Sequence, residues 1–548
     1  MLVPLVVATI VLAVAFAYLF PATSQRPAPT ARFADVTAES NLLLRGLPSD
    51  LSSPSTLTGA VLVLDYNGDG RPDLCFISGG AWPWQEQLAK EPGHSRIALF
   101  RNEGGMRFSD QTARAGLNVD LHGVAGAAGD FDADGHVDLL VTCVGGNHLF
   151  RNRGDGRFED VTDGSGLEVE SGTWSTGAAW LDIDDDGRLD LIVANYARWS
   201  PEVPLELAFT VARVGRSYGT PTGFVSAFPS VYRNLGDGRF APWANAAGLR
   251  DVDAETGLPV AHPLAIVPLD HNGDGKLDLI FSYHTAPSAL FLNRGDGSFR
   301  KRETGRQDRH EGAATVVSTG FIPLGIGAAD PRAQVFLAAA ENAAAEPPVE
   351  GALRLAAKYA VLPFDYDLDG RMEYLSAESL FEPDVNRFEA GADFSAQPRV
   401  LWFDGAAWRQ TAEASLPVPT GGLVARGAAV ADFDGDGDLD VALAQHDRQP
   451  VLWRNDQRAG FPWLRIRLAA TRSAPDAPGA QVELHTPRAV LRQTAMPTHS
   501  FMAQSETTLT FGLGEDARIR KIVVRWPSGE TQEVRPTEVN QTLVIREP

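Results

Sequence analysis

Six stretches of this 548-residue chain place oxygen-bearing side chains at alternate positions around a glycine. They read DYNGDGRPD from Asp65, DFDADGHVD from Asp130, DIDDDGRLD from Asp182, DHNGDGKLD from Asp270, DYDLDGRME from Asp365 and DFDGDGDLD from Asp432. Numbered 1 to 9, position 1 is Asp65, Asp130, Asp182, Asp270, Asp365 and Asp432. Position 3 is Asn67, Asp132, Asp184, Asn272, Asp367 and Asp434, and position 5 is Asp69, Asp134, Asp186, Asp274, Asp369 and Asp436. Position 9 is Asp73, Asp138, Asp190, Asp278, Glu373 and Asp440. Hard oxygen donors in this number suit a hard divalent cation, and calcium takes six to eight of them. They converge only if the chain turns sharply, which the glycine at position 6 permits: Gly70, Gly135, Gly187, Gly275, Gly370 and Gly437. The position 7 carbonyl, from Arg71, His136, Arg188, Lys276, Arg371 or Asp438, completes the expected shell.

The beginning of an EF-hand loop is similar, but the glutamate at the twelfth position is absent and the flanks read as strands. Three or four carboxylates at one turn repel one another unless a cation neutralises them. About six Ca²⁺ are therefore expected, which would bring the formal charge from −22 to −10. The Asp365 loop, ending in Glu373, is expected to differ most from the others. The acid excess (70 Asp and Glu against 48 Lys and Arg) repels phosphate backbones, so nucleic acid is set aside as a partner.

Other chemistry is not concentrated anywhere. The eleven histidines are scattered, with no His-Glu-x-x-His and no Cys/His cluster. A nucleophile elbow and a Walker loop are missing as well. The expectation is a protein without catalytic residues.

Strand–loop–strand units position the acidic loops. Apolar β-formers precede them, as in Val61–Leu64 and Ile266–Leu269, and follow them, as in Leu74–Ile77, Leu191–Val193 and Leu279–Phe281. A second signature then recurs: LFRNEGGMRFSDQT from Leu99, LFRNRGDGRFEDVT from Leu149, VYRNLGDGRFAPWA from Val231 and LFLNRGDGSFRKRE from Leu290. Asn and a Gly-rich pair between apolar runs mark a hairpin. Each unit thus has four strands, and such units repeated about an axis form a β-propeller. A ligand-free copy over Phe321–Leu337 would be a seventh blade. The unit ending at Asn455 lacks its outer strand, which recurs at Phe33–Thr37, so these residues are expected to complete the last blade and close the ring.

Met1–Phe20 carries no charged side chain, and residues 1–24 read as an export signal or an N-terminal membrane anchor, followed by a Pro-rich linker over 25–32. Cys75 and Cys143 lie in neighbouring blades, and strand alternation points them to opposite faces. They read as buried free thiols, a bridge between them being the alternative. Trp174, Trp180, Trp199 and Tyr196 read as core, with a ligand-binding face as the alternative. The irregular insertion over residues 195–230 is the expected contact surface.

These loops and their Leu-Phe-Arg-Asn and Gly-Asp-Gly-x-Phe companions resemble FG-GAP/VCBS repeats, as in the integrin α-subunit propeller. Residues Trp463–Ile466, Gly479–Val482, Thr510–Gly514 and Ile522–Gly529 resemble the ASPIC/UnbV domain that follows such propellers in the cartilage acidic protein family and its bacterial relatives. That domain's Gly-rich tract before its Ser-Gln is here Pro497–Ser505. The combined expectation is all-β: a seven-bladed, integrin α-like propeller over 33–460 and a small β-sandwich over 461–548. The resemblance implies an exported calcium-binding scaffold outside a membrane, with a protein partner, a membrane complex being one option. Carbohydrate or extracellular-matrix binding is the alternative, and a calcium-dependent polysaccharide lyase a third.

Overall fold

The computed structural model describes residues 32–44, 59–79, 97–167, 172–198, 210–211, 215–216, 225–243, 248–302 apart from 254 and 284–287, and 356–357. It also describes 361–380 apart from 378, then 395, 398–403, 408–410, 416–457 apart from 420 and 447, and 460–548 apart from 499, 517 and 537. The segments expected as export signal or anchor (1–24) and as seventh blade (321–337) lie outside the described residues, as do linker residues 25–31 and most of the 195–230 insertion. Among the described residues no helix is long and apolar enough to cross a membrane.

Six blades, each with four antiparallel strands, are present among the described residues, and the Asp65 blade carries a fifth, parallel strand, Ala503–Gln504, on its first. In the Asp130 blade the strands are Gly123–Gly129, Asp138–Cys143, His148–Asn152 and Phe158–Asp160, hydrogen-bonded in that order. The Asp65, Asp182, Asp270 and Asp365 blades repeat this order, each acidic loop joining its first and second strands. The Asp432 blade takes its outer strand from the other end of the chain: Phe33 pairs with Asn455 and Asp35 with Trp453. The ring-closing strand is thus where the sequence places it.

Burial grades from the axis outward. First and second strands such as Ala60–Leu64 and Asp73–Ile77 are buried on both faces. In the outer strand Phe158–Asp160 only the phenylalanine is buried. The first strands crowd the axis, and small residues fill them, as in GVAGAAG over Gly123–Gly129 and ARGAAVA over Ala425–Ala431. A Cβ at Gly126 would lie 2.6 Å from the Leu140 carbonyl oxygen.

Neighbouring blades share cores. Leu62, Cys75 and Ile77 of the Asp65 blade meet Leu139, Val141 and Cys143 of the Asp130 blade in one cluster. Opposite faces of successive blades face each other, so the two cysteines share a core as free thiols, and burial pushes both well above the ordinary thiol range. Trp174, Trp180 and Tyr196 are buried, and Trp174 packs edge-on to Tyr196 at 5.2 Å. Each fully buried apolar side chain contributes about 1.5–3 kcal/mol.

The C-terminal region is a two-sheet sandwich. A three-stranded sheet (Trp463–Ala469, Leu509–Gly512, Gln541–Arg546) packs on a four-stranded one (Gln481–His485, Val490–Thr494, Lys521–Arg525, Thr531–Val534). Leu464, Ile466, Val482, Phe511, Ile522 and Trp526 form the core between them.

Candidate metal centres on one face of the propeller

All six loops share one backbone path. The glycine at position 6 has φ between 83° and 98° in every loop. Its N–H donates to the position 1 carboxylate at 2.8–3.0 Å throughout. Position 4 is left-handed as well, at Gly68, Ala133, Asp185, Gly273, Leu368 and Gly435. The sequence shows no signal for this second turn, because non-glycine residues hold it in three loops.

Position 9 anchors the loop. Its carboxylate accepts the N–H of position 2 on one oxygen, as Asp138 does from Phe131 at 3.0 Å. Its other oxygen accepts the N–H of the asparagine in the third strand: Asn102 to Asp73, Asn152 to Asp138, Asn234 to Asp190, Asn293 to Asp278 and Asn455 to Asp440, all at 2.7–2.8 Å. The asparagine of the Leu-Phe-Arg-Asn signature is thus part of the loop's frame, a role the hairpin reading missed.

Positions 1, 3 and 9 converge. Ligand atoms of Asp130, Asp132 and Asp138 lie within 4.8 Å of one another, and the same holds for Asp182, Asp184 and Asp190; for Asp365, Asp367 and Glu373; and for Asp432, Asp434 and Asp440. In the Asp65 and Asp270 loops position 3 is asparagine, and Asn67 and Asn272 each accept the position 5 N–H at 2.9 Å. The Asp365 loop is distinguished by the burial of all three acids and of Leu368. Position 5 turns its side chain outward: Asp69 pairs with Arg71 at 3.0 Å, and Asp186 with Arg188. Of the other position 7 side chains, His136 is half-buried over Gly154, and Lys276 lies 3.6 Å from Asp185.

The donor set fits a divalent cation. The Oδ1 atoms of Asp132 and Asp184 are buried with no hydrogen-bond partner, an arrangement that costs about 1–3 kcal/mol unless something binds there. Burial and neighbouring acids push Asp73 and Asp138 up to about 8, Asp190 to about 7 and Asp278 to about 6. Carboxylates so crowded repel ionisation until positive charge arrives. Arginines of the Leu-Phe-Arg-Asn signature supply some of it: Arg151 reaches Asp132 at 2.7 Å and Arg233 reaches Asp184 at 2.6 Å.

The sequence also missed that the loops are tied to one another. Asn152 donates from Nδ2 to the carbonyl of Tyr66, at position 2 of the preceding blade's loop. Asn102 does so to Phe433, Asn234 to Phe131 and Asn455 to Tyr366, at 2.8–2.9 Å. The position 2 ring then packs on the outer-strand phenylalanine of the following blade. Tyr66 lies 6.4 Å from Phe158, Phe131 5.7 Å from Phe240, Phe433 5.7 Å from Phe108, and Tyr366 6.2 Å from Phe33 across the ring closure.

A ring of such loops followed by a two-sheet sandwich defines a class, and the chain joins FG-GAP-like repeats, matched over residues 65–141, 130–193 and 365–443, to an ASPIC and UnbV domain matched over 470–548. The Asp270 loop lies outside those matched spans and is recognised by its geometry. The chain is homologous to cartilage acidic protein 1. It is 26% identical over 329 residues to that of Xenopus tropicalis, covering 58% of this chain and 41% of the relative. To that of Homo sapiens it is 26% identical over 327 residues, covering 58% and 40%. The chain thus matches about two fifths of the length of these curated relatives. Among solved structures it is similar to an Agrocybe aegerita lectin that recognises non-reducing terminal N-acetylglucosamine, with a TM-score of 0.32 and 16% identity over 71% of this chain and 75% of that one.

Proposed function

We propose that this protein is a calcium-loaded, seven-bladed propeller that works outside the cytosol as a binding or scaffolding protein rather than an enzyme. The observation that carries this reading is the convergence of acids at positions 1, 3 and 9 in four loops, on a backbone path that all six share. Asp and Asn ligands in tight loops on stiff blades suit extracellular calcium, where modules binding at about 10⁻⁴–10⁻³ M are loaded. The uncharged run Met1–Phe20 supports export, with or without retention as an anchor. The count of seven rests on the ligand-free copy read from the sequence over Phe321–Leu337.

Isothermal titration of the full chain with calcium tests the metal reading, with about six ions expected per chain. Asp130→Ala removes one of them. A chain that takes up no calcium at millimolar concentration defeats it. The scaffold reading is tested by purification from native membranes with calcium and then with EGTA. A stoichiometric protein partner is expected. A protein recovered alone, yet retained on a glycan array or cleaving a polysaccharide, would replace scaffolding with the carbohydrate or lyase reading.

A further inference from the structure

The C-terminal sandwich sits on the loop face of the propeller and touches four of the six loops. Arg465 is buried, and its Nη1 donates to Oδ2 of Asp432, the first acid of the last loop, at 2.9 Å. Its Nη2 donates to Glu506. Gln481 donates to Oδ2 of Asp270 at 2.5 Å. The N–H of Gly514 donates to the carbonyl of Leu368 at 2.9 Å, and the Arg472 carbonyl lies 3.0 Å from where a Cβ on Gly187 would stand. The indole of Trp463 covers Gly437, where a Cβ would lie 1.8 Å from its Cε2.

From this sandwich the segment Ser500–Glu506 enters the propeller axis. Ala503 and Gln504 pair in parallel with Val61 and Leu62, the first strand of the Asp65 blade. Gln504 clasps Ala128 with both ends of its amide, accepting the N–H and donating to the carbonyl, each at 2.8 Å. Ser505 Oγ accepts the N–H of Val430 at 3.2 Å, and the Glu506 N–H donates to the Val430 carbonyl at 3.2 Å. Phe501 and Met502 are buried in the core shared by the first strands of the Asp65, Asp130 and Asp270 blades. Gly427 leaves room for the segment, since a Cβ there would lie 2.4 Å from the Met502 carbonyl oxygen.

The residues gripped are those that launch the loops. Ala128 stands two positions before Asp130, Val430 two before Asp432, and Leu62 three before Asp65. Any shift of these strands moves the first ligand of the loop that follows. We propose that the sandwich is an intramolecular clamp coupled to cation occupancy: calcium in the loops seats Ser500–Glu506 in the axis, and chelation releases the segment and opens the axis. This rests on the calcium reading above. By thermodynamic linkage, the seated segment tightens calcium binding by the same factor that calcium tightens the seat.

Hydrogen–deuterium exchange on the full chain, with calcium and with EGTA, reads the coupling directly, while calorimetry on the same preparation reads calcium uptake. The expected result is at least tenfold faster exchange over Ser500–Glu506 in EGTA, with the second strands of the blades still protected. Gln504→Ala, which touches no loop ligand, should weaken calcium binding about fivefold or more. Calcium uptake with unchanged exchange over Ser500–Glu506 overturns the clamp and leaves the calcium reading intact, as does an unchanged affinity in a folded Gln504→Ala chain. Exchange rising uniformly over all blades also overturns it, because chelation would then be unfolding the chain. Absence of calcium uptake defeats both readings, and the calorimetry identifies that case.

Discussion

Asn152 donates from Nδ2 to the backbone carbonyl of Tyr66, 86 residues away and one blade back, at 2.8 Å. Its other Nδ2 hydrogen serves Val137 in its own loop at 3.1 Å, and its own N–H serves Asp138 at 2.7 Å. One fully buried side chain therefore fixes the frames of two successive loops. The loops behave as linked members of a ring, and a fault in one is felt in the loop before it.

Asn152→Ala should cost about 1–3 kcal/mol, because it leaves the Tyr66 carbonyl buried without its donor. It should also weaken cation binding at the Asp65 loop, whose ligands it does not alter. Urea unfolding in saturating calcium measures the first effect. Calcium titration in an Asp130→Ala background, where the neighbouring loop is already silent, isolates the second.

Ala133→Gly should stabilise the protein by about 1 kcal/mol. Ala133 is exposed and holds φ at 57°, a left-handed conformation that costs an L-residue roughly 1–2 kcal/mol and glycine almost nothing. The gain is read as a higher urea midpoint with an unchanged slope. A loss of stability would show that the Cβ is needed at that turn.

Calcium uptake should release protons at pH 7, and stability without metal should fall as pH rises. The folded values of Asp73, Asp138, Asp190 and Asp278, at about 6–8, lie above the unfolded value near 4. The metal-free folded chain thus holds more protons than the unfolded one between about pH 4 and 8, and loses stability as they leave. Calcium replaces the protons and reverses the trend. Calorimetry in buffers of different ionisation heat counts the protons, and thermal unfolding from pH 5 to 8, with calcium and with EGTA, tests the slope.

Glu547→Gln should loosen the C-terminal sandwich by about 2 kcal/mol. Glu547 accepts the N–H groups of Thr471, Arg472 and Ser473 at 2.7–2.8 Å and the hydroxyls of Ser473 and Ser528. Burial opposes its charge, but these donors prevail and hold the carboxyl down to about 2. Its contribution is present above about pH 4.5 and is lost as pH falls toward 2, so the wild-type and variant unfolding curves should converge in acid.

Local pattern made the loops legible in the sequence. Acids at alternate positions and an invariant glycine name their chemistry, and Phe33–Asp35 completes a blade whose missing strand could be noticed by comparison. Features made by backbone and by distance were not legible. The left-handed turn at position 4 is held by Ala133, Asp185 and Leu368, none of which advertises it. Asn152 and its counterparts read as hairpin residues because their second partner belongs to another blade. Ser500–Glu506 has no strand periodicity, since its burial comes from first strands that converge from several blades. The pairing of Arg465 with Asp432 spans two domains, and no spacing encodes it.

The pairing of Phe33 with Asn455 also sets a timetable. The strand that completes the last blade is made first, and its partner follows about 420 residues later. At about 5–20 residues per second, synthesis alone leaves that edge waiting for about 20–80 s. The axis itself stays unfilled until Ser500–Glu506 has been made. Throughout, the growing chain presents an open arc of blades with two bare ends. Its hazard lies in meeting another nascent copy, and slowed translation or crowded ribosomes should lower the yield of folded protein.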